Sequence, residues 1–216
     1  MKVARAERGA KCSNCLPSPT DIMKRVLLAA TLSLFAASAF AAPVTYDLDS
    51  NHTHVLASWS RFGFSFPIAH FGQVDGTLVY DADHVAASSV QVTLPLAGLE
   101  AIVPALNEHL RSAEFFDAAE YPAITFKSTE VEAAGEGKLK VTGNLTVKDK
   151  TKPVVLDVTF NKAGGHPIAK STAIGFDATT TVKRADLGLG RYAPSANDLV
   201  KLHITAEALV PKPNAA

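Results

Sequence analysis

The sequence predicts an all-β domain of about eight antiparallel strands, interrupted once by a short helical excursion, as a closed up-and-down barrel or a two-sheet sandwich. Three observations predict it. From Val44 onward apolar and polar residues alternate; between Lys138 and Lys148 every odd position is apolar or glycine and every even one is Lys, Thr or Asn. That pattern gives an extended strand one face for a core and one for water. Turn-rich joints such as Asp81-Ala82-Asp83, Gly135-Glu136-Gly137 and Lys148-Asp149-Lys150 cut the pattern into strand-length pieces. One segment, from Pro95 to Tyr121, breaks the rhythm.

The N-terminus reads as targeting information. Met23-Lys24-Arg25 is a short basic start, Val26 to Ala37 an apolar run of 12 residues, and Ala39-Phe40-Ala41 a small-x-small cleavage site. A secretory signal peptide over 23–41, cleaved near Ala41, is expected, since the run falls short of the ~20 residues of a membrane-spanning helix. Residues 1–22 precede a signal that has its own Met23 and read as an over-long gene start. Both cysteines, Cys12 and Cys15, precede the cut, so the exported chain holds no disulfide. Residues 42–216 are then a single domain, the size expected from ~100–200 residues per domain.

Strands are expected at 44–49, 52–64, 72–80 and 88–94. The excursion follows at about 96–120, where Leu99, Ile102, Val103, Leu106 and Leu110 form a helical stripe and Pro104 starts a second helix. Further strands are expected at 122–132, 138–148, through Val154, Leu156, Val158 and Phe160, at 171–184 and at 200–208.

Charge narrows the partners. The whole chain balances 21 Lys and Arg against 21 Asp and Glu; removal of residues 1–41 takes away six basic and two acidic groups and leaves a net charge of −4. There is no basic field for nucleic acid. Nucleophile and phosphate-loop motifs are missing from the sequence: there is no Gly-x-Ser-x-Gly and no His-Glu-x-x-His, and Gly188-Leu189-Gly190 lacks a strand-turn-helix setting. The best enzyme signal is His52-Thr53-His54, because residues i and i+2 of a strand share a face and two imidazoles could hold one Zn²⁺, with Asp49, His70 or His84 as third ligand.

Five segments, in order, carry a family resemblance: Leu48-Asp49-Ser50-Asn51-His52-Thr53, His109 to Asp117, Tyr121 to Thr129, Gly143-Asn144-Leu145-Thr146-Val147 and Thr151-Lys152-Pro153-Val154. From about residue 44 to 209 the chain resembles the YceI-like, polyisoprenoid-binding proteins. The resemblance implies an eight-stranded antiparallel lipocalin-like barrel, with the helical excursion between strands 4 and 5, that holds an isoprenoid quinone or polyprenyl lipid without catalysis. It also implies a periplasmic location and a homodimer, with the membrane touched only transiently for lipid exchange; no cofactor or metal is implied. The chain departs from the family at Asn107-Glu108, Glu114 and Leu187, so the head group is not carried over.

The residues themselves allow either a dry core, as in a ligand-free stress or interaction protein, or a lined cavity. If the apolar faces point inward, the lining includes Trp59, Phe71, Leu78, Val92, Leu94, Phe116, Phe126, Leu139, Val141, Leu145, Val147 and Phe176. A hydrocarbon chain there would gain about 0.8 kcal/mol per buried CH₂, whereas an ion would lose its hydration. Phe64 also belongs to the expected lining; with Phe62, Phe66 and Phe71 it forms an aromatic stretch suited to a lipid portal or to a wedge at one barrel end. His52, His109 and Arg111 are the candidate head-group contacts.

Overall fold

Period-2 alternation sustained over ten or more residues favours long strands, and the five consecutive strands of the C-terminal half, 10 to 16 residues each, are the longest among the described residues. The computed structural model describes residues 42–212. The expected leader 23–41, the expected gene start 1–22 and residues 213–216 lie outside the described residues. Among the described residues the strands are β1 (Val44–Leu48), β2 (His54–Arg61), β3 (Ile68–Phe71), β4 (Asp75–Tyr80), β5 (Ser89–Pro95), β6 (Leu99–Ala101), β7 (Ala123–Gly135), β8 (Lys138–Val147), β9 (Lys150–Gly165), β10 (Thr172–Lys183) and β11 (Ala196–Leu209), with one α-helix, α1 (Pro104–Arg111), between β6 and β7.

All pairings between these strands are antiparallel, and eight strands close a ring in the order β1-β4-β5-β7-β8-β9-β10-β11 and back to β1. Closure leaves the ring without an exposed edge. The remaining three, β2, β3 and β6, hydrogen-bond side by side along the N-terminal part of β11, beyond the stretch that pairs with β1. β1 and β2 therefore act as one interrupted strand: Leu48 faces Ala208 and His54 faces Thr205, and the five residues between them bulge out past two residues of β11.

Two features differ from the sequence expectation. The helical stripe begins only at Pro104; Leu99 lies instead in β6, fully buried opposite Phe71, and residues 96–98 form a single 3₁₀ turn. Burial of Leu99 in the main core and the Gly72 N–H to Gly98 carbonyl bond (2.9 Å) override its helical spacing. The expected strand at 72–80 begins only at Asp75, as β4, after the non-strand residues Gly72 to Val74, and the short strand β3 (Ile68–Phe71) before it was not expected.

The main core lies where α1 and the segment after it cover the barrel: Leu96, Leu99, Leu110 and Phe116 pack with Val55, Phe71, Val147 and Leu187. Phe71 and Phe116 meet edge to face with centroids 6.0 Å apart. At the opposite end Tyr46, Ile174 and Ala208 are exposed by 4%, 1% and 1%, and the rings of Tyr80, Phe160 and Phe176 are mutually in contact at 5.6 to 6.1 Å.

Candidate functional site

Inward-facing residues of a dry core would be buried almost to zero. Here Val92, Leu145, Phe176, Leu202 and Ile204 face inward from within their strands and yet remain half-buried. The surface they keep faces a cavity of about 960 Å³ inside the barrel. That volume lies at the upper end of the ~300–1,000 Å³ of small-molecule sites. A cavity of about 150 Å³ accepts a six-carbon ring, so this one has room for on the order of 40 carbons.

The wall is apolar along most of its length. Of the residues expected to line it, Trp59, Phe71, Leu78, Val92, Leu94 and Phe116 are on the wall, as are Phe126, Leu139, Val141, Leu145, Val147 and Phe176. They come from β2 to β5 on one side and β7, β8 and β10 on the other, with Phe116 contributed by the segment that follows α1. Phe126 owes its place to Gly143, since a Cβ at Gly143 would lie 2.4 Å from the Phe126 ring.

The charged wall residues gather at the end where α1 lies. Arg61 pairs with Ala196 there, and the His109 and Tyr192 rings are 6.3 Å apart. His109, Arg184 and Arg191 line the cavity at this end together with the exposed or half-buried Phe62, Val103 and Tyr192. These exposed wall residues mark the mouth. No Asp or Glu is among the described residues of the wall; its charged groups are arginines, beside one histidine.

The Arg184 guanidinium, 8% exposed, donates to the carbonyls of Asn197, Leu189, Arg191 and Ala196 and so ties the 189–197 loop over the mouth. Burial draws its pKa below the usual arginine value, against the opposing pull of Asp198. Arg191 lies over the Tyr192 ring at 5.2 Å and pairs with Glu114 at 2.9 Å; the same carboxylate is 4.0 Å from His109.

Three expected site residues are placed elsewhere. Phe64 is 92% exposed at the tip of the β2–β3 turn, because Phe62 and Gly63 adopt positive φ (55° and 79°) and break the alternation that would have turned its ring inward. Arg111 is engaged by backbone: its guanidinium donates to the carbonyls of Leu96, Ala97 and Leu99 and pins α1 to the preceding turn. His52 lies outside the barrel, in the bulge between β1 and β2.

That bulge also removes the His52/His54 pair. His52 is not on a strand and its Nδ1 is 2.8 Å from Asp49 Oδ2, whereas His54 stands on β2 with its ring against His70 (5.3 Å). The Asp49 hydrogen bond raises the His52 pKa, and His52 in turn holds the Asp49 carboxyl below its ordinary value. Thr53 locks the base of the bulge, its hydroxyl donating to the Glu207 carbonyl and accepting the Glu207 N–H (3.0 and 3.1 Å). Among the described residues the one group able to offer three metal-ligand atoms is Asp49, His52 and Glu207, mutually within 4.8 Å. The Asp49 and His52 atoms already satisfy each other, as a bulge clasp requires.

Sequence reasoning missed Arg61, Arg184, Arg191 and Tyr192. They lie in or beside turns, where no period reports which way a side chain points; the Arg191-Tyr192 pair is a signal only once His109 is known to face it.

A family model described as the YceI-like domain matches residues 46–208, which is the barrel from β1 to β11. The chain belongs to the YceI-like family. A UPF0312 protein of Vibrio cholerae serotype O1 is similar to it at 35% identity over 185 residues, covering 84% of this chain and 97% of that one. A UPF0312 protein of Pseudomonas syringae pv. tomato is 36% identical over 194 residues, covering 88% and 100%. Among solved structures, Burkholderia cenocepacia BcnA superposes with a TM-score of 0.67 at 25% identity, over 74% of this chain and 98% of its own. A polyisoprenoid binding domain from Saccharophagus degradans shares the fold, with a TM-score of 0.59 at 16% identity over 77% of this chain and 98% of its own. In this YceI-like chain the lipocalin-like barrel that the family resemblance implied is the fold observed, and the two-sheet sandwich that the alternation also allowed is not.

Proposed function

We propose that this YceI-like protein binds one isoprenoid lipid in its barrel and stores or carries it in the periplasm, without catalysis. The observation that carries the reading is the cavity of about 960 Å³ whose wall is apolar along the strands and charged only at the mouth. Such a wall suits a long hydrocarbon tail with one polar end held outermost. At about 0.8 kcal/mol per CH₂, a tail of ten buried carbons already gains about 8 kcal/mol before the cost of ordering it.

The relationship to a domain described as polyisoprenoid binding supports an isoprenoid rather than a straight acyl chain. Of the two cargoes expected, an isoprenoid quinone and a polyprenyl lipid, both match the wall, and the head group would meet His109, Arg191 and Arg61. A homodimer and export through a leader cleaved near Ala41 complete the proposal. Binding is favoured over a metal-dependent reaction because the two histidines that suggested metal chemistry diverge, one to Asp49 and one to His70, on the outside of the barrel.

Mass spectrometry of an organic extract of protein purified from its periplasmic fraction tests this reading. An isoprenoid in near-stoichiometric amount is expected. An extract free of isoprenoid, from protein that also fails to take up a polyprenyl lipid or quinone from detergent, refutes it.

A further inference from the structure

The mouth is ringed by apolar side chains that none of the described residues covers. At the tip of the β2–β3 turn Phe64 and Phe66 are 92% and 73% exposed. Ile102 and Val103 are exposed too, and follow directly on Ala101, which pairs with Ala69 of β3, so they run alongside the base of that tip. Phe62 and Val103 belong both to this rim and to the cavity wall, which makes the rim continuous with the mouth.

We propose that the rim is a membrane-docking surface: the tip carrying Phe64 and Phe66, with Ile102 and Val103 beside it, enters the interface of a bilayer containing anionic lipids, so that the cavity opens against the lipid. The proposal rests on the lipid-cargo reading.

Three features favour a bilayer over a second copy of the chain. The turn lowers the backbone cost of leaving water, because three N–H groups at and just below the tip are internally bonded: Arg61 to Ser65, Phe64 to Arg61 and Trp59 to Pro67. The charge available at this end to anionic headgroups is that of Arg61, which stacks on Phe62 at 5.4 Å and has no carboxylate partner among the described residues, whereas Arg191, on Tyr192 at 5.2 Å, is paired with Glu114. An arginine over an aromatic ring has an apolar body and a charged end, the form suited to the headgroup level. Finally, projecting rings on a narrow turn offer little of the ~800 Å² per partner that a stable protein interface buries, whereas a fluid bilayer closes around them.

Flotation with vesicles of phosphatidylethanolamine and phosphatidylglycerol, and with vesicles of phosphatidylcholine alone, tests the proposal on the wild type and on the double variant Phe64→Ser/Phe66→Ser. The wild type is expected to float with the anionic vesicles more than with the neutral ones, and less so in high salt. The double variant is expected to bind at least about tenfold more weakly, with an unchanged melting temperature and an unchanged isoprenoid content after loading from detergent. Wild type that fails to float, or a double variant that floats equally well, overturns docking. So does a wild-type dimer in light scattering that the double variant converts to monomer, since the rim is then a protein interface. Absence of isoprenoid from both proteins counts against the cargo reading alone; ring-dependent flotation would still support docking.

Discussion

Leu145 lies toward the C-terminal end of β8, paired with Phe126 of β7 and Lys152 of β9, lines the cavity, and packs against both of the larger apolar clusters while remaining half-buried. Leu145→Trp adds about six heavy atoms, the size of a benzene ring, for which about 150 Å³ of cavity suffices. That is roughly a sixth of the 960 Å³ present, so the indole is accommodated by the hollow rather than forced against the opposite wall. In the protein without cargo the change in stability should stay below about 1 kcal/mol, or ~2–4 °C in melting temperature for a chain of this length. In a packed core the same replacement would cost about 1–3 kcal/mol. The cargo is affected differently: a tail that fills the cavity must withdraw about five carbons, one isoprene unit, and loses about 4 kcal/mol, roughly a thousandfold in affinity. The assay is paired: thermal unfolding of lipid-free protein, and the isoprenoid-to-protein ratio by mass spectrometry after loading from detergent. Asn144→Trp is the control, because Asn144 is exposed on the outer face. A melting temperature lowered by 5 °C or more with an unaltered isoprenoid ratio would refute the reasoning that Leu145 faces a void the cargo fills.

Gly143→Ala should destabilise by about 1–3 kcal/mol, since its Cβ would lie 2.4 Å from the Phe126 ring and 2.7 Å from the Lys127 carbonyl; urea unfolding with an unchanged midpoint would contradict this. Arg184→Met should cost about 3 kcal/mol or more by leaving the carbonyls of Leu189, Arg191, Ala196 and Asn197 without their donor, and hydrogen exchange should locate the loosening in residues 189–197; uniform exchange across that loop in both proteins would argue otherwise. The Asp49–His52 contact should stabilise most between about pH 4 and 6.5. The raised His52 value means that its contribution is complete below about 6.5 and is lost as pH rises through the folded-state value; the lowered Asp49 value means that its contribution is present above about 3.9 and is lost as pH falls through the folded-state value. Asp49→Asn should flatten that profile, and parallel melting-temperature curves for the two proteins would show that the contact adds nothing.

The sequence by itself determined the strands of the ring and their inner faces, though not the short strands β3 and β6 beside it. Along β8, Leu139, Val141, Leu145 and Val147 point inward as the alternation requires, because in an extended chain the side-chain period is a local property. It also placed the helix start at Pro104, where a fixed φ fits a first turn. Wherever the backbone leaves the regular period, tertiary structure decided. Phe64 follows two positive-φ residues and points outward; His52 belongs to a bulge anchored by Thr53 on a strand 154 residues away; Leu99 joins a sheet through Phe71 although its spacing is helical. Arg111 and Arg184 are alike in sequence terms, each an arginine at the end of an element, and both take up backbone carbonyls, yet only Arg184 also lines the cavity. The hollow itself belongs to the ring. Eight strands set a circumference, and side chains from opposite walls meet or fall short according to that circumference. Each strand contributes one share of it, and no strand's own pattern records the sum.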